Sequence, residues 1–202
     1  MQLIASLTSP FARKIRVLLH EKAIPCDLVI DIPWNADTRV PQFNPLGKVP
    51  VLVTDAGQSI YDSAVIAEYI DSVLTEPQFL PADRLRAIEV KVNEALADGI
   101  TDAAVTIFVE RKRAPERQDG DWIDRQIGKI NHGLAALERR LAEKSYLAGD
   151  QPTLADIAAA CSLGYLDFRF PDIDWRTEHA SIVPWAEQLF RRPSFVHTRP
   201  PA

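Results

Sequence analysis

The chain has 202 residues, 47% of them hydrophobic and 25% charged, enough to fill two compact domains and too apolar for disorder. A net charge of −5 offers no basic footprint for nucleic acid, and two cysteines with four scattered histidines make neither a disulfide framework nor a metal-ligand spacing. Arg13, Lys14 and Arg16 interrupt the apolar start where a signal peptide has its apolar centre, and no run reaches the ~18 apolar residues of a spanning helix, so a soluble cytoplasmic protein is expected.

Gln2–Ala5 is a short apolar run that predicts a strand. Phe11–Lys22 follows as a helix, with Ile15, Leu18 and Leu19 on one face. Cys26–Ile32 alternates as a strand, and Val49–Thr54 is a further β-rich run. Asp55 to Gln58 is a turn with Gly57 where a positive φ is cheap, and Ser59–Tyr61 returns as the second arm of a hairpin. A helix opens at Asp62 and Ser63 and runs to about Leu74, with Val65, Ile66, Tyr69, Ile70 and Val73 at helical spacing. Strand–helix–strand implies a parallel pair and the hairpin an antiparallel one, so the first part is a small mixed sheet with helices.

Thr75–Asp83 carries Pro77 and Pro81 and lacks periodicity, which makes it the expected linker. Beyond it the pattern is helical. Ile88, Val92, Leu96, Ala103 and Ile107 mark one long helix, and Ile123, Ile127, Ile130, Leu134, Leu137 and Leu141 mark a second, separated by a break over Arg113–Gly120. Thr153 and Asp156 form a capping box with aspartate in place of glutamate, opening a helix apolar on most sides and therefore buried. A last helix spans about Ile182–Arg192 with Trp185, Leu189 and Phe190.

Three segments carry candidate chemistry. Ser9 precedes Pro10 at the start of the first helix: it is a helix N-cap, or a hydroxyl beside an anion held by free helix-end amides. Pro50 precedes a strand: it is a plain edge start, or, if its peptide bond is cis, it leaves the Val49 backbone to pair with an extended peptide. Asp62 and Ser63 are an N-cap pair, or a site for an incoming carboxylate, with Asp62 beside an ammonium group.

Ser-Pro-Phe-x-Arg-Lys at 9–14, Asn-Pro-Leu-Gly-Lys-Val-Pro at 44–50 and Asp-Ser-x-x-Ile-x-Glu-Tyr-Ile at 62–70 resemble, in order and spacing, the glutathione site of the glutathione S-transferase family. Thr153 to Asp156 resembles the capping box of that family's helical domain, and the likeness covers essentially the whole chain. It implies an N-terminal thioredoxin-like domain with a mixed four-stranded sheet over residues 1–76, and an all-α domain over 84–202. It implies glutathione as co-substrate and no metal. Ser9 matches the position next to the sulfur, Val49 the backbone site for the cysteinyl part before a cis Pro50, and Asp62 with Ser63 the site of the γ-glutamyl end. Asn35 or Trp34 falls where some members hold the glycine end. The reaction implied is conjugation of a small hydrophobic electrophile, as in detoxification, by a symmetric homodimer.

The bacterial serine-type members are nearest, since the cysteine-type position is Ser9 here and the tyrosine-type position holds Ser6 and Leu7. Ser6 and Thr8 are rival donors, and Cys26 and Cys161 are expected to be small buried hydrophobes. The electrophile is assigned to Phe11, Trp34, Phe108, Arg111 and Tyr165. Phe108 and Tyr165 read more readily as core than as ligand contacts, and the Arg111–Arg113 run as a solvated face or as a contact for an acidic second substrate. A non-catalytic glutathione-binding module and a glutathione-dependent isomerase, dehalogenase or peroxidase are the alternative readings.

Overall fold

The computed structural model of the protein describes residues 1–73 and 76–201; Leu74, at the expected end of a helix, Thr75, at the start of the expected linker, and Ala202 lie outside them. The chain divides into two compact units, Met1–Pro81 joined by Arg191–Ala202, and Ala82–Phe190. The segment after Phe190 therefore packs with the first unit, whereas the sequence reading grouped it with the helical part.

In the first unit, β1 (Gln2–Ala5), α1 (Pro10–Glu21), β2 (Asp27–Ile30), β3 (Val51–Val53), β4 (Ser59–Ile60) and α2 (Ser63–Val73) follow in order. The sheet runs β2-β1-β3-β4, with β1 and β2 parallel and the other pairs antiparallel. β3 is shorter than the apolar run around it because Pro50 has no N–H for the ladder and Thr54 is taken by the turn, where Gly57 has φ +79°. Side chains alternate across the sheet: Ile4 and Val51 pack with Val40, Phe43 and Tyr61, while the cross-strand pair Leu3 and Leu52 points to the other face.

Lys22 at the end of α1 reaches Asp71 of α2 at 2.9 Å and the Pro77 carbonyl at 2.7 Å, and Asp71 also accepts from the amides of Phe79 and Leu80. The buried ammonium and carboxylate are paired and hydrogen-bonded, which is what makes their burial tolerable. A short helix α8 (Pro193–His197) completes the unit, lying against α1.

The second unit is helical. α3 (Arg84–Glu110) packs against α4 (Gly120–Leu141) and α5 (Leu154–Arg169); α6 (Trp175–Glu178) and α7 (Val183–Phe190) follow. α3 and α4 approach so closely that a Cβ on Gly133 would stand 2.5 Å from Ile100 Cγ1. α5 is buried along almost its whole length, and at its crossing with α3 the Ser162 hydroxyl donates to the Ala97 carbonyl at 2.8 Å. The face of α3 that packs inward carries Val90, Ala97, Ile100, Thr101 and Ala104. Ile88 and Val92, which gave the helix its sequence signature, are on the exposed side. The α5 start is held by Asp156, which accepts from the Thr153 amide and hydroxyl and from the Leu147 amide. No described helix is long and apolar enough to cross a membrane.

Candidate functional site

The sheet order brings four segments of the first unit to one edge. β1 ends at Ala5 opposite Ile30, so parallel β2 ends at the same edge. Ile4 pairs with Val51, so antiparallel β3 begins there; Leu52 pairs with Ile60, so β4 ends there. Residues 6–9, 31–35, 49–50 and 61–63 therefore leave the sheet side by side, and with them Ser9, Asn35, Val49, Pro50, Asp62 and Ser63.

Ser9 is the N-cap of α1. Its Oγ accepts from the Ala12 amide at 3.2 Å, and Pro10 fills the first helical position, where a missing N–H costs nothing. The cap uses the oxygen and leaves the hydroxyl proton to donate elsewhere, at a helix end that favours negative charge. The rival donors are turned to one another: Ser6 Oγ and Thr8 Oγ1 are 3.2 Å apart, and Ser6 is buried while Ser9 is half-buried.

The Val49–Pro50 peptide bond is cis. The loop ahead of it is built around buried Asn44, whose amide donates to the Lys48 carbonyl at 2.9 Å and whose oxygen accepts from the Leu46 amide at 3.0 Å. None of the hydrogen bonds described for this loop uses the Val49 amide or carbonyl.

Asp62 caps α2, accepting from the Ala64 amide at 3.1 Å; its carboxylate is exposed, while Ser63 is buried at the helix start. Trp34 and Asn35 are exposed on the segment after β2. Asp31 holds that segment, accepting from the Thr38 hydroxyl at 2.6 Å and the Arg39 amide at 2.9 Å; chiefly the Thr38 bond keeps its carboxyl below the usual range. Asp31 and Asn44 are the positioning residues that sequence reasoning left without a role. The Asn-Pro-Leu-Gly run was a turn signal that pointed to Asn44; nothing local pointed to Asp31, whose partners lie seven and eight residues on.

Arg13, from the first motif, is turned away from ligand chemistry. It is buried and donates to the Phe195 carbonyl in α8 at 3.3 Å. Cys161 is buried as expected, whereas Cys26 is only half-buried, and burial pushes its thiol up, away from the reactive thiolate.

Of the expected electrophile contacts, Phe11 is half-buried on α1. In the helical unit, Phe108 is half-buried on α3, and Tyr165 is buried on α5, where burial raises its hydroxyl to about 12. Arg111 pairs with Asp172 at 2.7 Å and lies 5.4 Å over the Phe170 ring. The basic run is thus not merely solvated: Lys112 stands over the Phe108 ring and Arg113 pairs with Glu110. Among the described residues no group of three metal-ligating side chains is found.

The family model described as glutathione S-transferase, N-terminal domain, matches residues 8–73, and that of the C-terminal domain matches residues 120–188. An uncharacterised GST-like protein of Escherichia coli, YibF, is 46% identical, over 100% of this chain and 99% of that protein. The glutathione S-transferase structure from Methylobacterium radiotolerans, in complex with glutathione sulfonate, superposes with a TM-score of 0.95 at 41% identity, covering 100% of this chain and 95% of that one. A glutathione transferase family member from Pseudomonas fluorescens Pf-5, with bound S-(propanoic acid)-glutathione, does so with a TM-score of 0.88 at 39% identity, covering 100% of both chains.

Proposed function

The chain belongs to the glutathione S-transferase family, and from that premise we propose that its first unit binds glutathione, that Ser9 activates the thiol, and that the thiolate is transferred to a small electrophile. The observation that carries the reading is the convergence of Ser9, Val49, Asp62 and Ser63 at one sheet edge, with the Ser9 proton left over after capping.

In this reading the tripeptide lies extended along the Val49 backbone, pairing as an added strand, with Pro50 fixing the direction of that segment. Its γ-glutamyl carboxylate meets Ser63 and the α2 helix end, its ammonium meets Asp62, and its glycine end meets Asn35. Ser9 donates to the sulfur. A free thiol has a pKa of about 8.5, so lowering it by about two units requires roughly 2.7 kcal/mol of preference for the anion. A hydroxyl donated to a charged acceptor contributes about 1.5–3 kcal/mol. The helix end adds about 0.3–1 kcal/mol. The two together suffice.

Phe11 and Trp34 in the first unit are the proposed contacts of the electrophile. The Pseudomonas fluorescens structure holds a conjugate whose sulfur substituent is a propanoic acid, which supports acids among the second substrates. The protein is proposed to work as a homodimer in the cytoplasm. Leu85, Ile88 and Val92, 79%, 56% and 50% exposed, form an apolar stripe along α3 of the kind that a second copy covers.

Calorimetry with glutathione and steady-state turnover over a panel of electrophiles test the reading together. The expected result is saturable binding with turnover that depends on Ser9. No association with glutathione would end the assignment, and tight binding without turnover would make the chain a binding module.

A further inference from the structure

Away from the segments assigned to glutathione, the first unit carries a cavity of about 540 Å³. It is lined by the starts of β1 and β2, the last turns of α1 and the turn that joins α1 to β2. Leu3 and Leu28, which pair near the start of the two strands, belong to it, whereas the glutathione segments leave the sheet beyond Ala5 and Ile30. His20, also in the lining, is about 16 Å along the helix from Ser9.

Leu3, Leu19, Ile24 and Leu28 give the cavity an apolar wall. β2 is the outer strand of the sheet and Leu28 is 42% exposed, so this side is open to solvent. Ala23 adds to the wall from a left-handed backbone position, φ +50°, where glycine is usual. The polar side is held by the end of α8. The His20 ring stacks on His197 at 5.7 Å, and Arg16 Nη1 donates to the Thr198 carbonyl at 3.4 Å. An apolar concavity of this size with a few fixed polar groups has the make-up of a small-molecule site.

Cys26 shows which charge the cavity accepts. Its thiol is in the lining and half-buried. Burial pushes the thiol up, Asp27 and Asp55 push the same way, and the N-terminal ammonium does not offset them. Removal from water and two nearby carboxylates therefore disfavour an anion at this end of the sheet.

We propose that the cavity binds an uncharged phenol or alcohol. The apolar body lies against Leu3, Leu19 and Leu28, and the hydroxyl meets His20, since an imidazole nitrogen can donate to a hydroxyl or accept from it. The site is separate from the glutathione segments and does not rest on the transferase reading.

Fluorescence titration of the full chain with 1-naphthol and with 1-naphthoate tests it, together with N-ethylmaleimide labelling of Cys26 read by peptide mass spectrometry. Cys161 is buried, so Cys26 is the thiol that labels first. At neutral pH naphthol is expected to bind about tenfold more tightly than naphthoate and to slow Cys26 labelling about tenfold at saturation. Added glutathione should leave it bound. Leu28→Glu, which sets a carboxylate at the open side, is expected to weaken naphthol about tenfold. His20→Phe, which keeps a ring against His197 and removes the hydrogen bond, should weaken it about fivefold. No saturable binding, binding without protection of Cys26, a preference for naphthoate, or displacement by glutathione overturns the proposal. So does an affinity unchanged in the variants; should one of them fail to fold, the other carries the same readout. Calorimetry with glutathione separates this site from the first. Lost glutathione binding with Cys26 still protected by naphthol defeats the transferase reading alone, and the reverse defeats the phenol site alone.

Discussion

At Ser9 one hydroxyl serves two partners through its two chemical ends. The oxygen caps α1 through the Ala12 amide, and the proton is left for a sulfur. Ser9→Ala removes both, with separable consequences. Loss of the cap is expected to cost about 1 kcal/mol, read from denaturant unfolding. Loss of the donor is expected to lower kcat/KM about 10–100-fold and to raise the bound thiol pKa by about one to two units. The rate rises with pH as the thiolate forms, so the inflection of the pH–rate profile moves to higher pH in the variant. An unmoved inflection would remove Ser9 from thiol activation. Ser9→Asn keeps the cap and is expected to restore stability without the rate. Ser9 and Asp62 were legible in the sequence because a cap stands next to the helix it serves. Arg13 was not: its partner, the Phe195 carbonyl, lies 182 residues away.

Helix packing in the second unit depends on small residues at the crossings. An alanine at Gly133 would press into Ile100, so Gly133→Ala is expected to destabilise by about 1–3 kcal/mol through overpacking, measured by thermal unfolding. Asp156→Ala should cost more, about 3 kcal/mol, because the Leu147 and Thr153 amides lose their acceptor where water cannot replace it. The capping box and the existence of α3, α4 and α5 were readable from spacing. Which face of α3 turns inward was not. The helix is apolar on two sides, and periodicity reports a helix without saying which stripe meets α4 and α5. Ala97, Thr101 and Ala104, the residues that allow close approach, leave a weaker hydrophobic signal than the exposed Ile88 and Val92.

For the whole molecule, two expectations concern association and pH. Ile88→Asp combined with Val92→Asp places charge on the exposed stripe and is expected to convert a dimer to a monomer in sedimentation velocity; a native chain that is monomeric at every concentration excludes the dimer. The return of the chain to its first unit is fastened by Glu21, which accepts from Arg192 at 2.6 Å and 2.7 Å and from Ser194. Burial pushes the Glu21 carboxyl up, but the bonds from Arg192 and Ser194 with the Arg192 charge outweigh it and hold it below its usual 4.5. A lowered folded value means that this stabilisation is complete above the unfolded value and is lost as pH falls through the folded one. The melting temperature should therefore fall more steeply below about pH 4.5 in the native chain than in Glu21→Gln, and equal slopes would discount the clamp. Nothing local announced this arrangement: the expected last helix stopped at Arg192, and no element was expected over Pro193–His197.

That interrupted first unit also bears on the order of events at the ribosome. Ala82–Phe190 is continuous and can mature as soon as it has emerged, whereas the sheet and α1, made earlier, wait for Arg192 and Phe195. At about 5–20 residues per second the delay is roughly 5–20 s, during which the nascent N-terminal segment is the part exposed to chaperones and proteases. The portion translated first is thus the portion finished last.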